Sequence, residues 1–270
     1  MSRRSEASGP ELDLFGKAPV GRADWSHRRR EPRGLALMWT VYLMLATVVS
    51  LIPMVLSGQL SGDVYRPSAR VMIVMVMVGL MVLWPMLRVS QPRNSAQPVL
   101  DVSRDLGVLF FPAMVLVWPQ AVLAGWSVPV LGAASVVLVV WGLIAGSALL
   151  WWHRYSAGGV IGRFAVTACV AGLAAALPLV LALAGRLALG PPIATPAAGW
   201  LWSPATAVWE VLRERSWTGM PAAVSGAHWS VLRVQIAIAC VIFVVSAAVC
   251  RGGSGAVDRE DDRPGELSID

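Results

Sequence analysis

The segment Pro129–Trp152, PVLGAASVVLVVWGLIAGSALLWW, decides how the chain is to be read. It contains no charged residue and closes on Trp151-Trp152, a pair suited to the boundary between hydrocarbon and polar headgroups. A helix rises about 1.5 Å per residue, so roughly 20 residues cross a hydrocarbon layer about 30 Å thick. Pro129–Trp152 is long enough to do so, and the same pattern recurs on both sides of it.

Toward the N-terminus lie Leu35–Leu56, with Pro53 near its far end, and Ala69–Leu87, a Val/Met/Leu run stopped by Trp84-Pro85. Next comes Leu106–Leu123, where Pro112 and Pro119 predict bends because each removes a backbone donor and crowds the preceding turn. Toward the C-terminus lie Phe164–Leu187 and Val231–Cys250. Phe164–Leu187 is rich in Ala and Gly, with Pro178 inside it, so close helix approach suits it to the packed interior. The sequence thus predicts an all-α, polytopic membrane protein with six transmembrane helices.

Composition agrees. Of 270 residues, 56% are hydrophobic and 14% charged, against about 25% charged in ordinary soluble domains; mean hydropathy is +0.64. A water-soluble enzyme is excluded. Residues 1–33 hold 8 Arg+Lys and 5 Asp+Glu, and residues 251–270 hold 3 Arg and 6 Asp+Glu, which leaves few charges for the 217 residues between. The organisation predicted is a basic cytoplasmic tail over 1–33, with an interfacial segment from Trp25 to Gly34. A membrane domain over 34–250 and an acidic cytoplasmic tail over 251–270 follow. Net charge is +6, but the basic residues punctuate apolar runs rather than forming one stripe, which points to anionic lipid and membrane orientation, with no nucleic-acid partner.

Arg28-Arg29-Arg30 and Arg33 precede the first apolar run; the leader is too long and mixed for a cleaved signal. Arg88, Arg93 and Arg104 lie between the second and third runs, Arg154 and Arg163 between the fourth and fifth. Excess of basic residues on the cytoplasmic side places these loops and both termini in the cytoplasm. Arg66 and Arg70 at the first external turn, and Arg186, Arg213, Arg215 and Arg233 around the last external region, run against that count and leave the inverted orientation as the main alternative.

Chemistry-bearing motifs are sparse. There is no HExxH, Walker A loop, GxGxxG or GxSxG sequence, so no catalytic residue, cofactor-binding residue or metal ligand is assigned. His27, His153 and His228 sit in the tail or at run ends, where they read as interfacial anchors; the topology puts His228 opposite the other two. Cys169, Cys240 and Cys250 make neither a disulfide framework nor a CxxC pair. Met72, Met75, Met77 and Met81 read as apolar filling rather than a copper path. Gln120 and Gln235 read as interhelical hydrogen-bonding groups. Asp101 and Asp105, four apart, share a face of a short helix before the third crossing.

The least ordinary region is about 188–230, with Pro191-Pro192, Pro196, Pro204, Pro221 and five tryptophans including Trp200, Trp202 and Trp209. A short helix is predicted from Pro204 to Arg213, capping the bundle or entering the interface. Trp202-Ser203-Pro204-Ala205-Thr206-Ala207-Val208-Trp209-Glu210, ahead of the last crossing, resembles the Ser/Asn-Pro, short-helix pattern of type-2 ATP-binding-cassette (ABC-2) exporter permeases. The six crossings and the enlarged external or re-entrant region between the fifth and sixth are similar to that family.

The resemblance implies a dimeric, multisubunit transport complex in a bacterial cytoplasmic (inner) membrane. This chain would pair with a second permease subunit and a separate nucleotide-binding ATPase, with ATP bound by that partner and no cofactor on this chain. It also implies a coupling surface at Arg88, Arg93, Asp101, Arg104 and Asp105, and an external gate at Trp202, Pro204, Trp209 and Glu210. The competing reading is a non-catalytic membrane scaffold or accessory subunit of a respiratory, secretion or envelope complex.

Overall fold

The computed structural model describes residues 32–58, 61–90, 97–155, 198–214 and 222–252. Every regular element among them is helical. In chain order they are α1 (Pro32–Ser57), α2 (Gly62–Val78), a π-helical turn (Gly79–Leu83), α3 (Trp84–Val89), α4 (Pro98–Val117) and α5 (Gln120–Leu123). Then follow α6 (Val128–Tyr155), a 3-10 turn (Ala198–Trp202), α7 (Pro204–Val211) and α8 (Gly226–Gly252). Five stretches are long and apolar enough to cross a membrane: Gly34–Ser57, Val64–Val89, Pro98–Leu123, Val128–Arg154 and Gly226–Arg251. The chain is a membrane-embedded helical protein. The predicted crossing Phe164–Leu187, both tails, and Arg93, Arg163, Arg186 and Arg215 lie outside the described residues.

Three spans begin five or more residues before their apolar runs, the last of them at Gly226 rather than Val231. The second starts at Val64 rather than Ala69, and the third at Pro98 rather than Leu106. Asp101, Arg104 and Asp105 therefore ride on the spanning helix itself, not on a separate short one. Pro98 opens α4, where a missing N–H costs nothing. Pro112 lies inside α4, whereas the second expected bend, at Pro119, is a break: α4 ends at Val117 and helix resumes at Gln120. Gly125, at φ +66°, then reverses the chain into α6, a backbone conformation that L side chains rarely adopt. Beside the Pro112 gap, Trp39 Nε1 donates to the Leu109 carbonyl at 3.0 Å. Leu109 follows Val108, whose carbonyl Pro112 cannot serve.

Side-chain contacts fix the helix directions. Trp84 and Arg88 reach Asp105, whereas Tyr65 and Arg66 reach Gln120 and Ala124, so α2–α3 and α4 are antiparallel. A Cβ at Gly142 would meet Phe110, and one at Gly146 would meet Val102, so α4 and α6 are antiparallel as well. α6 and α8 run the same way. Gly146 faces Phe243, Trp151 Nε1 donates to Ser246 Oγ at 2.7 Å, and Cys250 Sγ donates to the Leu150 carbonyl at 3.3 Å. We call the end holding Val89, Pro98 and the C-termini of α6 and α8 the basal end, and the opposite one the distal end.

α6 is the central helix, packed against α4, α7 and α8. Gly142 and Gly146, one turn apart, are the small positions that admit Phe110, Trp84 and Phe243. In contrast, α1 and α8 turn Val41, Met44, Val48, Val241, Val244 and other large apolar residues outward, as lipid-facing helices do.

Candidate functional site

Polar side chains gather at the two ends of the bundle. At the basal end, Trp84 and Arg88 are four residues apart on α3 and so project from one face. Both reach Asp105 on α4. Arg88 forks onto the carboxylate, Nε donating to Oδ2 and Nη2 to Oδ1, and Trp84 Nε1 donates to Oδ2 at 3.1 Å. Asp105 is only 1% exposed. Low dielectric makes such a pair strong once formed and costly to break. Of the predicted coupling surface, then, Arg88 and Asp105 are engaged with each other. Asp101 is half-buried and Arg104 exposed, while Arg93 lies outside the described residues.

The distal end is built around α7. Pro204 starts the helix and is buried, Glu210 is buried near its end, and Trp202 and Trp209 stay exposed. The helix stops at Val211, so Arg213 lies just beyond it rather than within it. Gln235 on α8 donates from Nε2 to the Leu201 carbonyl at 2.7 Å, tying down the 3-10 turn, and Thr206 Oγ1 donates to Trp200 O at 2.6 Å. Gln120 is similarly structural: it accepts from the Tyr65 hydroxyl at 2.8 Å and donates to Leu116 O at 3.1 Å.

Around this frame sits an ionic cluster drawn from α2, α7 and α8. Arg213 contacts Glu210 through Nε at 3.2 Å and Nη2 at 3.2 Å. Arg66 Nε donates to Ala124 O at 2.9 Å and lies 3.2 Å from Glu214 Oε1. Arg70 Nε donates to the carbonyl of Leu212, the C-cap of α7, at 3.1 Å, and its guanidinium lies 4.9 Å from the centre of the Trp209 ring. A cation at a helix C-terminus complements the partial negative charge of the last carbonyls, and one over an indole face complements the ring quadrupole.

His228 is the residue whose role the sequence did not disclose. It is 1% exposed rather than interfacial, with Nε2 3.9 Å from Glu210 Oε1. Its Nδ1 accepts the Ser225 backbone N–H at 3.1 Å and lies 2.9 Å from Ser225 Oγ. Ser225 precedes α8 and His228 is three residues on, so this is the backward half of a capping box, with histidine in the place of Glu or Gln. The backbone donor leaves the neutral ring's proton on Nε2, facing Glu210. Nδ1 is thus engaged as an acceptor and cannot take the serine proton without breaking the cap, so Ser225–His228–Glu210 is not a nucleophilic triad. The Ser-x-x-His spacing ahead of an apolar run was the available signal. Among the described residues no group of three or more His, Cys, Asp or Glu is placed to hold a metal.

No family model, curated protein or solved structure matches this chain. Its functional reading therefore rests on its own geometry.

Removing Glu210 tests how the distal end holds together. Glu210→Ala leaves Arg213 without its carboxylate, an expected loss of about 1–3 kcal/mol. Faster tryptic cleavage after Arg213 is the readout; an unchanged rate would show that the cluster does not hold this segment.

Proposed function

We propose that the chain is the membrane-spanning permease subunit of an ATP-driven export complex in a bacterial cytoplasmic membrane. It is energised by a separate ATPase and paired with a second permease subunit. The observation that carries this reading is the 3-10 turn and α7, folded against α2, α6 and α8 immediately ahead of the last span. This is the place where ABC-2 permeases have short or re-entrant helices. A buried Pro204, the Gln235 tie and the Glu210 cluster make it a built cap rather than a loop, which suits external closure by Trp202, Pro204, Trp209 and Glu210.

Six crossings are part of the proposal. The described spans before and after residues 156–197 are parallel, and two parallel neighbours need a further crossing between them, for which Phe164–Leu187 has the length. Both termini then share one side, and the Arg28–Arg30 run makes that side cytoplasmic. The basal end would face the ATPase, with exposed Arg104, half-buried Asp101 and, outside the described residues, Arg93 as docking groups. Arg88 and Asp105 would stiffen the helices behind them.

One observation favours the scaffold reading. Arg88 and Asp105 satisfy each other inside the chain, which leaves fewer groups for a coupling partner. Purification of the tagged protein in mild detergent, with mass spectrometry of what stays bound, separates the two. One nucleotide-binding ATPase at about one copy per permease is expected. A stable complex without an ATPase, or the chain alone, would sink the export reading and favour the scaffold.

A further inference from the structure

The distal cluster is unevenly paired. Among its described residues, Arg66, Arg70 and Arg213 face Glu210 and Glu214, and each glutamate has its own arginine: Arg213 for Glu210, Arg66 for Glu214. His228 stands 3.9 Å from Glu210 Oε1 and is already held by Ser225. Arg70 is left over. It is 9% exposed, yet only its Nε has a hydrogen-bond acceptor, the Leu212 carbonyl. Its two terminal amino groups find none among the described residues, and they are not sealed within the protein as Trp126 Nε1 and Gln235 Oε1 are. Buried guanidinium groups are ordinarily satisfied along both edges of the fork, because stripping water from an unpaired cation is costly.

We propose that Arg70 is the recognition group of a phosphate-binding site at the distal end of the bundle. Trp209 and the α7 C-terminus hold the guanidinium plane in place. The fork of two terminal N–H groups matches two oxygens of a phosphate, where an ammonium offers only a point charge. Position favours the phosphodiester of a lipid headgroup. Arg70 lies about 9 Å inside the Val64 end of its span by helical rise, close to exposed Trp209 in the aromatic layer that marks a membrane interface. Free phosphate shares the chemistry and would use the same fork. The site does not depend on the export reading, since a scaffold could hold an anionic lipid equally well.

The test uses the full-length protein, delipidated in a nonionic detergent. Binding of short-chain phosphatidylglycerol is compared with that of the same diacylglycerol lacking phosphate. The phosphatidyl form is expected to bind about tenfold more tightly, and Arg70→Gln to abolish that preference. Arg251→Gln, exposed in the last turn of α8 at the other end of the bundle, leaves it unchanged. Competition by millimolar inorganic phosphate identifies a site for the free anion; absence of competition identifies a headgroup site. No preference for the phosphatidyl form in the unmodified protein would overturn the proposal, as would a folded Arg70→Gln protein that keeps the preference. If Arg70→Gln does not elute as a folded species, Arg70→Lys decides. A severalfold loss supports the guanidinium fork, and undiminished binding overturns it.

Discussion

Asp105→Leu is expected to be the most damaging single substitution in the described bundle, at about 3 kcal/mol or more. The cost comes from what is left behind: Arg88 keeps its charge with its side chain only 20% exposed, and Trp84 Nε1 keeps a buried donor without an acceptor. Breaking one side of a buried pair costs more than removing both sides, because the survivor has lost its water as well as its partner. The double variant Arg88→Met/Asp105→Leu is therefore expected to recover much of the loss. Thermal unfolding in detergent, followed by the monodisperse fraction, reads both proteins. A single variant as stable as the parent would show that the pair contributes nothing to the fold. A double variant no better than the single would remove the broken Arg88–Asp105 pair as the cause.

Gly79→Ala should rank next, at about 2 kcal/mol from overpacking. A Cβ at position 79 would run into the Tyr42 ring and lie 2.7 Å from Trp39 Cζ3. Neither ring is free to turn away. They stack at 5.5 Å with an 18° interplanar angle, the Tyr42 hydroxyl donates to Met75 O at 2.6 Å, and Trp39 is anchored on Leu109. Gly79 also opens the π-helical turn. Tyr42→Leu in the same chain removes the obstacle, so Gly79→Ala should cost markedly less in that background. Equal costs in both backgrounds, measured as a double-mutant cycle on thermal stability, would remove Tyr42 as the reason for glycine.

The spans were legible because lipid imposes a length and forbids unpaired charge, and both constraints act residue by residue. Their starts were less so. The runs beginning at Ala69 and Leu106 marked where the apolar sequence begins, whereas the helices extend back past Arg66 and Asp105, since a charge with a partner does not end a helix. Pro204 as the start of a short helix was also readable, because proline at a first helical turn is a local preference. The packing of that helix against α2 and α6 was not.

The candidate sites divide in the same way. Tryptophan and proline enrichment marked the region ahead of the last span, and Trp202, Pro204, Trp209 and Glu210 were singled out from it. Arg70 and His228, their partners, read locally as a loop cation and an interfacial anchor, since the residues that engage them stand more than a hundred positions away for Arg70 and 18 for His228.

The sequence by itself determined that this is a helical membrane protein, which segments are apolar enough to cross, and that chemistry-bearing motifs are few. Those properties follow from local composition, because the bilayer acts as a solvent on each segment separately. Only the tertiary structure decided that Asp105 is spent on Arg88 and Trp84, that Gly79 must remain bare, and that the terminal amino groups of Arg70 meet no hydrogen-bond acceptor among the described residues. Each of these depends on which helix faces which, and that is fixed by packing between segments distant in the chain.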